Sequence, residues 1–169
     1  MIKNTNSSLS QRELAPVRAT EGSMQNIRQT ISSNFSQKYL IETNRDCNFN
    51  FRFVHDKPNT SSNISILILA SGHAHITANA TIAIENSAPD TNAWLEIKVI
   101  TRDQAIVTAA PNLEIKNDSV KAGHALSTKR ISEEQLFYLM SRGLDRTSAE
   151  QLVLDALAEP YRKEGIKLA

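Results

Sequence analysis

Apolar residues stand at every second position in several segments across the middle of the chain. Because successive side chains of a β-strand point to opposite faces, this pattern predicts strands with one face buried. Cys47 shares the parity of the first segment and is expected to point inward as a small apolar residue. The other residues expected on the buried face are Phe49, Phe51, Phe53, Ile64, Ile66, Ile68, Ile76, Ala78, Ala80, Ile82, Ile84, Leu95, Ile97, Val99, Leu113 and Ile115.

The connections between these segments leave two architectures open. The sequence contains no Asn-Gly or Asp-Gly dipeptide, the strongest short signal of a tight hairpin. Polar stretches such as residues 86–92 and 102–104 separate the segments instead. Comparable apolar triplets return at intervals of roughly 15–20 residues, close to the length of one coil of a β-solenoid. A parallel β-solenoid and an antiparallel sandwich therefore both fit the spacing.

The N-terminal region, residues 1–37, has a different texture. It is rich in Ser, Asn and Gln and carries little apolar pattern. Met24, Ile27 and Ile31 fall at helical spacing, which predicts a short amphipathic helix. A poorly ordered arm is the other expectation for this region.

The C-terminal region, residues 132–169, changes to a period of 3.6 after the strand pattern of residues 38–131. Ser132 with Gln135 forms a capping box, in which both side chains bond free backbone N–H groups. Gly143 stands where a glycine commonly follows a helix. A first helix is therefore predicted between these residues.

A second helix is predicted directly afterwards. Thr147 and Glu150 repeat the capping box, and Pro160 is expected to end the helix. A β-domain followed by a helix pair is typical of α+β architecture.

Composition limits the classes of function. Lysine and arginine total 19 against 18 acidic residues, and this balance gives no basis for binding nucleic acid or an anionic membrane. No apolar run is long enough to cross a bilayer, and the first residues lack the apolar stretch of a secretory signal. Cys47 is the only cysteine, so no internal disulfide can form and a reducing cytoplasm fits best.

Motifs of common catalytic sites are missing from the sequence. It contains neither a G-x-x-x-x-G-K-[ST] phosphate loop nor a G-x-S-x-G nucleophile elbow. His73 and His75 share one face of a strand at a spacing that can serve a metal, but no carboxylate motif accompanies them. They are expected to be exposed strand histidines, and Trp94 an ordinary surface aromatic. We therefore expect a non-catalytic chain.

Two stretches near the C-terminus carry a family resemblance. Residues 111–124 have the sequence PNLEIKNDSVKAGH, and residues 133–143 have EEQLFYLMSRG. They resemble the C-terminal part of the SufB/SufD family of iron–sulfur cluster assembly proteins, which consists of a strand, a polar turn, a histidine-containing strand and a helix. The match covers roughly residues 110–158, the C-terminal core, and extends more weakly back to about residue 63.

The resemblance implies a mainly β fold: a right-handed parallel β-helix followed by a C-terminal helix pair. It also implies a scaffold subunit of the SUF system that docks a SufC-type ABC ATPase through the helix at residues 133–142. A SufB-like subunit or a second copy of the chain would pair with the β-helix. The implied ATPase-docking residues are Gln135, Leu136, Phe137, Tyr138, Arg142 and Gly143.

His124 matches the histidine that SufD-type members place at the interface where clusters assemble, and Glu114 lies in the same motif. A neutral imidazole suits iron and can complete a ligand set begun by a partner's thiolates. SufB-type members have a cysteine near Ala105 and a glutamate at the place of Ala125, so the ligand set that the resemblance implies is SufD-like. We expect no cofactor bound by this chain alone, only a transient cluster shared with a partner.

Two other functions remain open from the sequence. A β-solenoid can carry a carbohydrate-cleaving site, but the alternation does not gather acids and bases on one face. A purely structural oligomerisation module is the other alternative.

Overall fold

The computed structural model describes residues 24–169, which form nine strands and two helices. The elements in chain order are β1 (Met24–Ile31), β2 (Phe35–Thr43), β3 (Cys47–His55), β4 (Ser61–Ala70), β5 (His75–Ile84), β6 (Thr91–Thr101), β7 (Ile106–Ile115), β8 (Val120–Lys129), α1 (Glu133–Ser141), α2 (Arg146–Glu164) and β9 (Gly165–Lys167).

Strands alternate between two parallel sheets as the chain advances. One sheet has four strands in the order β1-β3-β5-β7, and the other has five in the order β8-β6-β4-β2-β9. Every pairing is parallel. The fold is a parallel β-solenoid of about three turns followed by two helices, which confirms the solenoid prediction and excludes the sandwich.

The space between the two sheets is the main core. Phe49, Phe51 and Phe53 are at most 1% exposed, and their rings stack at 6.1 and 6.2 Å. Tyr39 meets Phe51 edge-on at 5.3 Å, and burial raises the pKa of Tyr39 to about 12. The predicted inward parity is therefore correct for these aromatic residues, and Cys47 is buried beside them at 1% exposure.

One coil is longer than the apolar spacing suggested. Side chains that bond each other on adjacent coils, such as Asn26 with Asn50 and Glu85 with Lys116, lie 24 and 31 positions apart. Each coil contains one strand from each sheet, so the apolar triplets recur more often than the coils. The interval of 15–20 residues was therefore wrong as a coil length.

The helix predicted around Met24 is wrong, because residues 24–31 form strand β1. Ile27 and Ile31 pair with the inward residues Phe51 and His55 of β3, whereas Met24 is 60% exposed. The solenoid thus already includes residues 24–37, which the sequence pattern assigned to the arm. The part of the predicted arm before Met24 lies outside the described residues.

The two helices form, but their caps differ from those predicted. Ser132 is the N-cap of α1 with extended backbone, yet its side chain makes no capping hydrogen bond. Asp145, and not Thr147, caps α2, because its carboxylate accepts from the Ser148 backbone N–H at 2.9 Å. Gly143 follows α1 at φ +97°, a conformation that favours glycine, as expected.

Pro160 does not end α2, which continues to Glu164. One turn containing Tyr161 is held by packing, since Tyr161 is 6% exposed and its hydroxyl lies 2.7 Å from Ser65 Oγ. This turn belongs to a second apolar cluster between α2 and the outer face of the five-stranded sheet. Its members are Leu40, Leu67, Leu69, Ile100, Leu154, Ala158 and Tyr161.

After α2 the chain returns to the sheet as β9, which pairs with β2 from Lys38 to Leu40. Gly165 allows this turn, because a Cβ there would overlap the Tyr161 carbonyl oxygen and lie 3.0 Å from the Lys38 carbonyl oxygen. The C-terminal strand therefore covers one edge of the five-stranded sheet, while β8 forms the other edge.

Candidate functional site

Helix α1 presents an exposed aromatic surface. Phe137 is 75% exposed, Tyr138 59% and Met140 42%, although large apolar side chains are usually buried. The Arg142 guanidinium lies 5.4 Å from the centre of the Tyr138 ring, within the range of a cation–π contact. We call Gln135, Phe137, Tyr138, Met140 and Arg142, all exposed, the α1 surface.

Leu136 does not belong to this surface. Its side chain is 2% exposed, so the expectation that it contacts a partner is wrong. Its place on the helix explains the burial, since the side of α1 opposite the exposed aromatics must pack against the protein. Gly143 has open space around it and serves to reverse the chain between α1 and α2.

An ion-pair network ties α1 to the start of α2. The Arg146 guanidinium donates to both Glu133 carboxylate oxygens, at 2.6 and 3.0 Å, and to Glu150 at 3.1 Å. The hydrogen bonds from Arg146 lower the pKa of Glu133, although both side chains are exposed. This bidentate contact links the first turn of α1 to the first turn of α2.

The C-terminal end of the solenoid is open in the described part of the chain. β7 and β8 are the last strands of their sheets, and no further coil covers their inward side chains. Leu126 and Ile115 are register partners of the buried Ile97 and Ile84, yet they are 45% and 46% exposed. We call this the open end: the inner-face residues of β7 and β8, which are Val107, Ala109, Pro111, Leu113, Ile115, Val120, Ala122, His124, Leu126 and Thr128.

His124 stands on the inner face of the open end. It is the register partner of Leu95, which is 0% exposed, but His124 itself is exposed. An imidazole in this position is accessible to a metal ion or to a partner that approaches the end of the solenoid. The structure therefore gives His124 the accessibility that a ligand needs.

Glu114 is not beside His124. It lies on the outer face of β7, in the other sheet, and its carboxylate accepts from Arg52 at 2.6 and 3.0 Å. The hydrogen bond from Arg52 lowers the pKa of Glu114. The two residues predicted for the assembly interface thus share an end of the solenoid but do not form a ligand pair.

The remaining metal candidates are not assembled either. His73 and His75 are exposed, as expected, but only His75 lies in a strand, because His73 belongs to the turn before β5. Asp46 accepts from the His75 backbone N–H at 2.7 Å. Among residues 24–169, no three His, Cys, Asp or Glu side chains are grouped so that they could hold a metal ion. Burial, followed by the charge of Asp46, raises the pKa of Cys47 to about 11, which keeps the thiol protonated and unreactive.

The sequence interpretation missed a buried histidine. His55 is 0% exposed, and its Nδ1 and Nε2 atoms lie 2.8 Å from Thr60 Oγ1 and 2.9 Å from Ser62 Oγ. Thr60 Oγ1 also lies 3.1 Å from Thr91 Oγ1, so the contact spans two coils. His55 continues the inward parity of Phe49 and Phe53, and that parity was the available signal.

The fold and these surfaces define a β-solenoid protein with an open end and a helix pair that exposes aromatic residues. Residues 17–157 match the family model described as "SUF system FeS cluster assembly, SufBD core domain". The chain therefore belongs to the SufBD family, and its function lies in iron–sulfur cluster assembly by the SUF system. No curated protein sequence matches the chain. Among the described residues, no helix has the length and apolar character needed to span a membrane.

Proposed function

We propose that this chain is a SufD-like, non-catalytic scaffold subunit of the SUF machinery in the cytoplasm. It docks a SufC-type ABC ATPase through the α1 surface and pairs through the open end with a SufB-like subunit or a second copy of itself. The observation that carries the proposal is the 75% exposure of Phe137 next to the buried Leu136.

The α1 surface has the chemistry of a protein-binding hot spot. Aromatic residues and arginine are enriched in such spots, and here Phe137, Tyr138 and Arg142 are neighbours on one short helix. The buried Leu136 and the contact between Glu133 and Arg146 both tie α1 to the rest of the protein before binding, which reduces the entropy lost on docking. Leu136 supports the surface from below by anchoring α1.

The open end supports pairing along the solenoid axis. Its apolar side chains, such as Leu126 and Ile115, would become buried against a partner as the equivalent residues are within the solenoid. The free edges of β7 and β8 also offer backbone N–H and C=O groups to a partner strand. A SufB-like subunit fits the role, since Ala105 and Ala125 replace ligand-type residues of SufB members.

His124 is the residue of this chain that we assign to a transient cluster, whose iron is cargo. A neutral imidazole can complete an iron ligand set, but one histidine cannot hold a cluster that usually takes four protein ligands. Cys47 is buried and cannot contribute a thiolate to it. The partner across the open end would therefore supply the thiolates.

The docking proposal is tested by measuring affinity for a SufC-type ATPase from the same organism. Phe137→Ala should weaken binding by about 2 kcal/mol, roughly 30-fold in Kd. The reason is that docking buries the large exposed ring of Phe137, and the alanine variant lacks this burial. Met24→Ala is the matched control, since Met24 is 60% exposed on β1 and belongs to the four-stranded sheet. Unchanged affinity of the Phe137 variant, with its fold intact by circular dichroism, would refute the assignment.

The role of His124 is tested by anaerobic iron–sulfur reconstitution of the complex with its partner. His124→Ala should lower the yield of bound cluster, whereas His73→Ala, which removes another exposed histidine, should not. An undiminished yield with His124→Ala would end the ligand claim.

A further inference from the structure

A row of outward-facing residues crosses the five-stranded sheet and contains the only tryptophan of the chain. Ser36, Asn63, Trp94 and Gly123 are successive register partners on β2, β4, β6 and β8. Trp94 is 46% exposed, whereas its neighbours in the row are small or polar. A large aromatic ring thus stands alone on a polar surface.

The position of the Trp94 ring is fixed by Gly123. A Cβ atom at Gly123 would lie 2.6 Å from Cζ3 and 2.9 Å from Cε3 of the indole. Only glycine leaves room for this contact, so the benzo ring lies directly against the backbone of β8. The indole is therefore supported on one side before any ligand arrives.

On the side of the indole away from Gly123, the sheet forms an open groove of about 470 Å³. This volume lies within the range of roughly 300–1,000 Å³ that is typical of small-molecule sites. Ser61 Oγ donates to Asn34 Oδ1 at 2.9 Å, so part of the polar lining is already ordered. Within the described part of the chain the lining is uncharged. Its polar members include Asn34, Ser36, Asn63 and Asn92, which are exposed, and Ser61, which is partly buried.

We propose that this groove binds a neutral pyranose ring of an oligosaccharide, stacked on Trp94. A pyranose has an apolar face of C–H groups, which the electron-rich face of an aromatic ring attracts, and a rim of hydroxyls. Asparagine amides and serine hydroxyls both donate and accept, as the sugar rim requires. Binding is recognition only, and no bond of the sugar is cleaved.

Other ligands fit these residues less well. The phosphates of a nucleotide need a cation or a cluster of N–H donors, and the lining offers no lysine or arginine. A protein hot spot is surrounded by contacts that exclude water, whereas Asn63 and Asn92 beside Trp94 are exposed to solvent. The α1 surface, with its adjacent aromatic residues Phe137 and Tyr138, resembles a protein hot spot more closely.

Intrinsic fluorescence provides a direct test, because Trp94 is the only tryptophan. The full chain is titrated with maltotriose, cellotriose and triacetylchitotriose, and with adenosine monophosphate as the anionic aromatic probe. At least one trisaccharide should give a saturable change in emission, with a Kd on the order of 1 mM as expected for a shallow site. Adenosine monophosphate should give none.

Variants locate the binding. Asn63→Ala should raise the Kd roughly fivefold, which corresponds to the loss of one hydrogen bond. Asn112→Ala is the control, because Asn112 is an exposed asparagine on the other sheet, and it should leave the Kd unchanged. Gly123→Ala should abolish saturation because the new Cβ displaces the indole. Circular dichroism checks that each variant folds, and Trp94→Ala is measured by calorimetry.

Three outcomes would overturn the proposal. They are no saturable change with any trisaccharide, an equal response to adenosine monophosphate, and unchanged sugar affinity in the Asn63, Gly123 and Trp94 variants. None of them affects the docking of the ATPase, since Trp94→Ala leaves the α1 surface intact.

Discussion

The buried histidine predicts a specific loss of stability in mild acid. His55 has no exposed surface, and burial lowers its pKa below the ordinary value of 6.5, although the charge of Asp56 partly opposes this. A neutral imidazole donates from one nitrogen and accepts at the other, which satisfies Thr60 and Ser62 together. An imidazolium would need both hydroxyls as acceptors and would place a charge in the core.

The sign follows from the proton balance. Below about pH 6.5 the unfolded chain binds a proton at this histidine that the folded protein does not, so stability falls as the pH falls. The stabilisation that comes from keeping His55 neutral is fully present above this pH. It is lost as the pH falls from about 6.5 towards the pKa of His55 in the folded protein. One proton limits the slope to about 1.4 kcal/mol per pH unit.

Urea unfolding followed by circular dichroism between about pH 5.5 and 7.5 measures this slope. His55→Gln removes the titrating group and should flatten the curve in this window, whereas His124→Gln, an exposed histidine, should keep the wild-type slope. The reasoning fails if the wild-type free energy of unfolding does not fall with pH, or if the His55 variant keeps the full slope.

Two further predictions concern the core. Phe51→Ala should cost about 3–5 kcal/mol of unfolding free energy, because its ring is 0% exposed and stacks between Phe49 and Phe53. Denaturant unfolding measures this, and a loss under about 1 kcal/mol would contradict the packing. Cys47, whose pKa is raised to about 11, should not react with a disulfide reagent until the protein unfolds. Rapid stoichiometric modification of the folded protein would show that the thiol is accessible.

Most of what the sequence predicted correctly came from the alternation of apolar and polar residues along the strands. Burial on one face is a strong signal for strands such as β3 and β5, where almost every second residue is fully buried. Helical spacing misled at β1, because Met24 completes such a spacing with Ile27 and Ile31 only by chance. Met24 is exposed, and the two isoleucines are an even number of positions apart, as a strand requires.

Features that depend on tertiary contacts could not be obtained from local pattern. Pro160 normally predicts the end of a helix, but the packing of Tyr161 outweighs the lost hydrogen bond. The burial of Leu136 depends on which side of α1 packs against the protein. The separation of Glu114 from His124 arises because β7 and β8 belong to different sheets. Similarly, Trp94 contacts Gly123 only because β6 and β8 pair in a particular register, and no local sequence motif predicts that register.

The return of the chain as β9 has a consequence for assembly. β9 occupies one margin of the five-stranded sheet, so a further strand at that margin would have to displace residues 165–167 of the same polypeptide. At the β8 margin no such competition exists within the described residues. Two molecules that joined there would use up the free margin of both, and the sheet could not lengthen into a fibre. Strand β9 therefore also limits how far the five-stranded sheet can polymerise.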